Sequence, residues 1–195
     1  MGEGNKKLSK RDPESSLLLH REKGMLPEGM ANYLALLGWS ISPDEDIFTM
    51  DQMVDAFDIE DVNPNPARFD LKKCVAINSD HIRLINGADF LERIIPFLHR
   101  ESLVSADRFD DLLPREAAIA QAAAPLVQSR VQLLGEVPGM TAFLFLPDNE
   151  IEIENDARAQ LRDNAAEVLD HAIVALEGIE ADRFNAAAVE DALRA

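Results

Sequence analysis

Cysteine, tryptophan and tyrosine occur once each in these 195 residues, and aromatic residues make up only 6% of the chain. A lone cysteine, Cys74, excludes an intramolecular disulfide and suits a reducing compartment such as the cytoplasm. Flanked by Leu71, Val75 and Ile77, it reads as a small buried hydrophobe and not as a reactive thiol. No apolar run approaches the roughly 20 residues that a bilayer span requires. The first residues lack the apolar core of a secretory signal. Together these absences predict a cytoplasmic protein that does not engage a membrane.

Positive charge is scarce as well. Lys and Arg number 19 against 36 Asp and Glu, for a formal net charge of −17. That balance opposes broad affinity for nucleic acid, which draws on neutralised phosphates. The deficit is uneven, because residues 1–30 sum to +1 and the remainder to −18. The four histidines, His20, His81, His99 and His171, stand apart from one another. His20, between Leu19 and Arg21, reads as a surface residue. Glu150, Glu152 and Glu154 alternate with Ile151 and Ile153 in the manner of an acidic metal cluster. Without a histidine or a convergent further ligand the run reads as a solvated face, and no bound metal is expected.

What the chain does have is apolar content, at 47%, and dense helix punctuation. Asp12 with Pro13 and Glu14 predicts a helix start, with the stop at Gly24. A second helix is expected from Pro27 to Gly38, with Met30, Tyr33, Leu34 and Leu37 on one face. Trp39 after it reads as a core anchor. Thr49 and Gln52 form a capping-box pattern, and Pro64 and Pro66 mark a connector. Further helices are expected over Asp70–Asn78 and over 88–100 with Pro96 as a kink, with a turn at Asn86-Gly87 between them. Ser105 is expected to cap a short helix reaching Leu113, and Pro114 to open a longer one to about Gly135, bent at Pro125. Gly135 to Gly139 reads as a turn. Thr141–Leu146 fits a short strand or an apolar insertion equally well. A helix over 156–177 and a last one from Asn185 complete an all-α reading, a helical bundle.

The densest basic segment is Lys6, Lys7, Lys10 and Arg11 around Ser9, beside Gly2 and Gly4. Rotatable cationic donors and a hydroxyl in a loop suit a polyphosphate, although such a string also reads as a solvated basic loop. Lys7-Leu8-Ser9-Lys10-Arg11 resembles the KMSKS-type signature loop of class I aminoacyl-tRNA synthetases, in its glutamyl form. Downstream, Gly24-Met25-Leu26-Pro27-Glu28-Gly29-Met30-Ala31-Asn32-Tyr33-Leu34-Ala35-Leu36-Leu37-Gly38-Trp39-Ser40 is similar to the stretch that follows this loop in glutamyl-tRNA synthetases. So is Phe69-Asp70-Leu71-Lys72-Lys73-Cys74 with Asn78 and Ile82. The ordered matches cover roughly residues 4 to 85, and the remainder resembles the family's helical anticodon-binding region more loosely.

The resemblance implies an all-α junction and stem-contact bundle followed by a helical anticodon-binding domain, truncated at its C-terminus. The family's His-x-Gly-His motif does not precede the loop, so the chain is expected to be a C-terminal portion of a longer enzyme and inactive alone. The implied divisions are 1–12 for the ATP loop, 13–87 for stem contact and 88–195 for anticodon binding. The implied substrates are ATP (with Mg2+ in the complete enzyme), glutamate and tRNA(Glu), bound by a monomer. Catalytic roles fall on Lys10 and Lys7, and phosphate contacts on Lys7, Ser9, Lys10 and Arg11.

Arg130 is the remaining candidate. Helical spacing sets it in a stripe of Leu126, Val127, Leu133 and Leu134. It reads either as a stem packed on leucines with a snorkelling head or, by resemblance, as the arginine that reads an anticodon base. The alternative to the whole reading is an acidic helical protein-interaction module that does not bind tRNA. The β-barrel patterns of a glutaminyl enzyme are missing.

Overall fold

The computed structural model describes residues 16–194 apart from 66, 152, 154 and 162. Among them the chain forms α1 (Leu17–Glu22), α2 (Pro27–Ala35), α3 (Met50–Ala56), α4 (Leu71–Leu84), α5 (Gly87–Arg100), α6 (Pro114–Val127) and α7 (Val137–Phe145). Then come α8 (Asn155–Gln160), α9 (Ala165–Glu177) and α10 (Ala186–Arg194). No strand occurs among the described residues, and a single-residue bridge joins Ser42 to Glu45. The all-α class is as expected. The chain divides into two compact units, Met1–Asn149 and Glu150–Ala195.

In the first unit the caps explain most boundaries. Ser16 caps α1 by accepting from Leu19 N, so the described helix starts later than the Asp12–Pro13 signal; those two residues lie outside the described ones. Thr49 and Gln52 close a reciprocal capping box on α3. Asp70 caps α4, which runs six residues beyond the expected Asn78. Asn86 accepts from Asp89 N and so starts α5 instead of making a free turn. Pro96 lies inside α5.

Four expectations between Ser105 and Leu146 are corrected. Ser105 caps no helix. Its N–H and hydroxyl both go to the carboxylate of Glu116, and a 3-10 turn at Phe109–Asp111 stands where the helix was expected. Pro114 does open α6, but the helix stops at Val127, two residues past Pro125. Gly135 to Gly139 is no free turn: a 3-10 turn at Leu134–Glu136 runs straight into α7. Thr141–Leu146 is helical up to Phe145, so neither a strand nor an insertion is present.

Two cores hold this unit. The larger gathers Phe90, Ile94, Ile95 and Leu98 of α5, Ala120, Ala124 and Val127 of α6, and Val131, Leu134 and Val137, together with Leu26 and Ile82. The smaller gathers Met25, Tyr33, Cys74 and Ile77. Trp39 is buried as expected, edge-on to Phe48 with ring centroids 5.6 Å apart. His20 is not on the surface: it is buried against Phe69, with ring centroids 6.0 Å apart, while its neighbours Leu17 and Leu18 are exposed.

In the second unit the expected helix over 156–177 is two helices, α8 and α9, separated at 161–164. Asn185 accepts from Ala188 N and starts α10 as expected. No helix of the described residues is long and apolar enough to cross a membrane.

Candidate nucleic-acid interface

The phosphate-loop residues Lys7, Ser9, Lys10 and Arg11 lie outside the described residues. What the structure describes is the joint downstream of them, where the end of α1, α2 and the segment 131–135 converge on α4 and α5.

Gly24 makes the first contact. Its φ of +91° is one that side chains with a Cβ rarely adopt. Its carbonyl accepts from Leu134 N (3.0 Å), and the Lys23 carbonyl accepts from Gly135 N (3.2 Å). A Cβ on Gly24 would run into the backbone of Leu134 and Gly135. The approach of two backbones this close requires glycine.

Asn78, fully buried on α4, fixes the same segments. Its Oδ1 accepts from Leu26 N (2.7 Å) and its Nδ2 donates to the Gln132 carbonyl (2.6 Å). Gly29 on α2 leaves room for it, since a Cβ there would stand 2.8 Å from Asn78 Oδ1. One residue on, Ser79 Oγ donates to the Val131 carbonyl (3.4 Å). Gln128 Nε2 donates to the Ile82 and Ile85 carbonyls, each at 2.9 Å, satisfying acceptors that the end of α4 would leave open.

Other members of the quoted motifs do comparable work. Asn32 Nδ2 donates to the Asp46 carbonyl, and its Oδ1 accepts from Phe48 N (3.1 Å) and from His81 Nε2 (2.8 Å). Burial pushes the pKa of His81 below its ordinary value, so the neutral ring is the favoured donor. The Tyr33 hydroxyl accepts from Asp70 N at the head of α4. Glu28 receives both terminal nitrogens of Arg93, at 2.9 and 3.0 Å, and Arg93 Nε reaches Asp89 (2.9 Å). Those bonds hold the Glu28 carboxyl below the usual range and raise the already high pKa of Arg93. Cys74 sits in the small core, its thiol pushed up to about 11 by burial, which suits a packing role.

Arg130 departs from its helical expectation. With α6 ended at Val127, residues 128–130 form a turn, and the Arg130 N–H donates to the Val127 carbonyl (2.8 Å). Val131 and Leu134 dive into the large core while Leu126 stays exposed, so the supposed stripe does not exist. The Arg130 side chain is exposed, and no carboxylate among the described residues pairs with it. The turn carries it against the C-terminal half of α4, where Gln128 and Val131 make their bonds. Among the described residues no group of three or more His, Cys, Asp or Glu is placed to hold a metal.

An apolar groove of about 670 Å³ opens beside this joint, lined by Leu17, His20, Met30, Leu34, Pro96 and Phe97 among others. Sequence reasoning passed over Arg93, Gln128 and Ser79. Glu28 and Asn78 could be found as motif letters, but their partners lie 65 and 54 residues away and carry no local signal.

Comparison with known proteins agrees with this arrangement. Residues 1–75 match the profile described as tRNA synthetases class I (E and Q), catalytic domain. Residues 89–195 match the profile described as anticodon binding domain. The glutamate–tRNA ligase of Bifidobacterium longum is 57% identical over 180 residues, which are 92% of this chain and 36% of the relative. That of Kocuria rhizophila is 57% identical over 194 residues, all of this chain and 37% of the relative. The chain thus spans little more than a third of these relatives' length. A crystal structure of a glutamate tRNA ligase from Elizabethkingia meningosepticum superposes with a TM-score of 0.74 at 22% identity, covering 98% of this chain and 39% of that one, and so shares the fold. The second profile alone takes in more than half of the residues, and the chain belongs to the anticodon binding domain family, in the form that glutamate–tRNA ligases carry.

Proposed function

We propose that this chain serves the ATP-dependent attachment of glutamate to tRNA(Glu), supplying the phosphate loop and the tRNA-binding helices of a glutamate–tRNA ligase. The observation that carries the reading is the order of matches: a class I catalytic profile over 1–75, then an anticodon binding profile over 89–195. On this reading residues 1–12 belong to the ATP site, 13–87 contact the tRNA stem and 88–195 face the anticodon.

The chemistry needs no protein nucleophile. A glutamate carboxylate oxygen attacks the α-phosphorus of ATP, the bond to the bridging oxygen breaks, and pyrophosphate leaves with the developing charge. Lys10 and Lys7 stabilise that charge, with Ser9 and Arg11 holding the phosphates. In the complete enzyme, Mg2+ would supply further positive charge to the phosphates. Losing one such donor costs on the order of 10²–10³ in rate. Lys7, Ser9, Lys10 and Arg11 rest on the signature pattern quoted above. Arg130 contributes a guanidinium to the tRNA, a role supported by its exposure and by the lack of an acidic partner among the described residues. The buried, unreactive Cys74 fits work in the reducing cytoplasm.

The test is filter binding of the chain to tRNA(Glu) at two salt concentrations, with an anticodon-substituted tRNA as competitor. Binding that weakens with salt and discriminates against the competitor is the expected result. Absence of binding at low salt, with the chain folded by circular dichroism, overturns the reading.

A further inference from the structure

The net charge of −17 makes cations without an acidic partner informative. Lys72 and Arg83, the latter paired with Asp80 at 2.7 Å, lie along one side of α4. Arg130, unpaired among the described residues, sits on the turn bonded to the C-terminal half of that helix. Lys72, Ala76, Ser79 and Arg83 recur at steps of four, three and four residues, which sets them in a single stripe. Lys72 is exposed and pairs with no described carboxylate, whereas its neighbour Lys73 is tied to Asp46 at 2.8 Å. Arg83 Nη1 donates to Ser79 Oγ (2.7 Å), and that hydroxyl donates to the Val131 carbonyl. The residue before Val131 is the exposed Arg130. The turn carrying Arg130 is pinned to α4 from both sides, by Gln128 on the Ile82 and Ile85 carbonyls and by Val131 on Ser79.

We propose that Lys72, Arg83 and Arg130 form a cationic ledge along α4 that holds the phosphate backbone of the bound RNA. The inference rests on the tRNA-binding reading and assigns Arg130 to the backbone instead of a base. Lys72 and Arg83 are separated by about 16 Å at the helical rise of 1.5 Å per residue, a length over which a nucleic-acid strand presents several phosphates. Asp70, which accepts from Lys73 N, and Glu136, which accepts from Gln132 N, flank the ledge without pairing to Lys72 or Arg130. Asp80 is bonded to Arg83 Nη2 at 2.7 Å. It orients the guanidinium and leaves Lys72 and Arg130 uncompensated. A backbone site of this kind supplies affinity without sequence information.

The test measures binding of the chain to tRNA(Glu) and to its anticodon-substituted form across a salt series. The variants are Lys72→Glu, Arg130→Ala and Arg130→Lys, with Arg115→Glu as control. Arg115 is an exposed residue at the far end of α6 with no acidic partner among the described residues. Lys72 makes no side-chain bond that its replacement would lose, and a carboxylate in the first turn of α4 suits the helix dipole. Lys72→Glu and Arg130→Ala should each weaken both tRNAs alike, on the order of fivefold. Each should also flatten the slope of log K against log salt by about 0.7–0.9. Arg130→Lys should restore binding, because a phosphate accepts a point charge where a base edge needs the guanidinium fork.

Unchanged affinity and slope in Lys72→Glu and Arg130→Ala would overturn the ledge while leaving the tRNA reading intact. A loss in Arg130→Ala confined to the native anticodon, without rescue by lysine, would also overturn it and make Arg130 a base reader. Equal weakening with no anticodon preference in the unmodified chain would support the ledge and count against anticodon reading.

Discussion

A buried amide spends both of its ends at Asn78, and nothing in the sequence around it could take over either one. Replacing it by alanine strands the buried Leu26 N–H at about 1–3 kcal/mol and takes the donor from the partly buried Gln132 carbonyl at a smaller cost. Asn78→Ala should therefore lower unfolding free energy by roughly 2–4 kcal/mol in urea titration, whereas loss of an exposed polar residue stays within about 0.5 kcal/mol. Cys74 makes a second residue-scale prediction. With its thiol pushed up to about 11 and its side chain buried, it should react with a maleimide only as fast as the small core opens, and denaturant should restore ordinary rates.

The same neighbourhood sets an acid dependence. His81 titrates below its ordinary 6.5 in the folded chain, so its contribution to stability is complete above about 6.5 and is lost as pH falls through the depressed value. Glu28 is also depressed, so the stability linked to it is complete above about 4.5 and is lost at still lower pH. Both effects have one sign, and melting temperature should decline in two stages below pH 6.5. His81→Gln, which keeps a donor for Asn32, should remove the upper stage and leave the lower one. A variant that retains both stages would assign the upper one to another group.

At the scale of elements, legibility followed the caps. Asp70, Thr49 with Gln52, Pro114 and Asn185 mark their helices by contacts within four residues, and all four work as the letters imply. The misses lie where the deciding partner is distant or the pattern has no period. Val137–Phe145 is apolar almost throughout, so neither a helical nor a strand repeat can be read from it. α6 continues past Pro125 for two residues and then stops because Val131 and Leu134 are drawn into the core. His20 disappears under Phe69, contributed from 49 positions away, while Leu17 and Leu18 stay outside. The caps also differ in what they support. α3 has a complete capping box and no buried residue, so the box stabilises a helix that little else holds. Thr49→Ala should cost about 1 kcal/mol locally. Hydrogen exchange over residues 50–56 should accelerate while the global melting temperature barely moves.

The whole molecule has two units of unequal solidity. All described buried residues fall at or before Thr141; from Ala142 onward none is buried. Within the second unit α9 and α10 pack on each other and leave Val168, Leu169, Ile173, Val174 and Leu193 about half exposed or more, and Val168, Val174 and Leu193 line a groove of about 950 Å³. Half-buried side chains return only part of the roughly 1.5–3 kcal/mol that full burial of each would give, while the ordering entropy of every residue remains to be offset. The first unit has two closed cores and a set of buried polar bonds that span more than 50 residues of sequence. Opening free energies should therefore differ sharply across position 150. Hydrogen exchange of α9 and α10 should be complete while α5 and α6 remain protected. Brief thermolysin treatment should trim the chain from its C-terminal side to a resistant product ending near Asn149. The melting temperature of that product should match the main transition of the intact chain. Equal protection in α9 and α5 would show that the second unit gains its stability from packing that half-exposed faces do not provide.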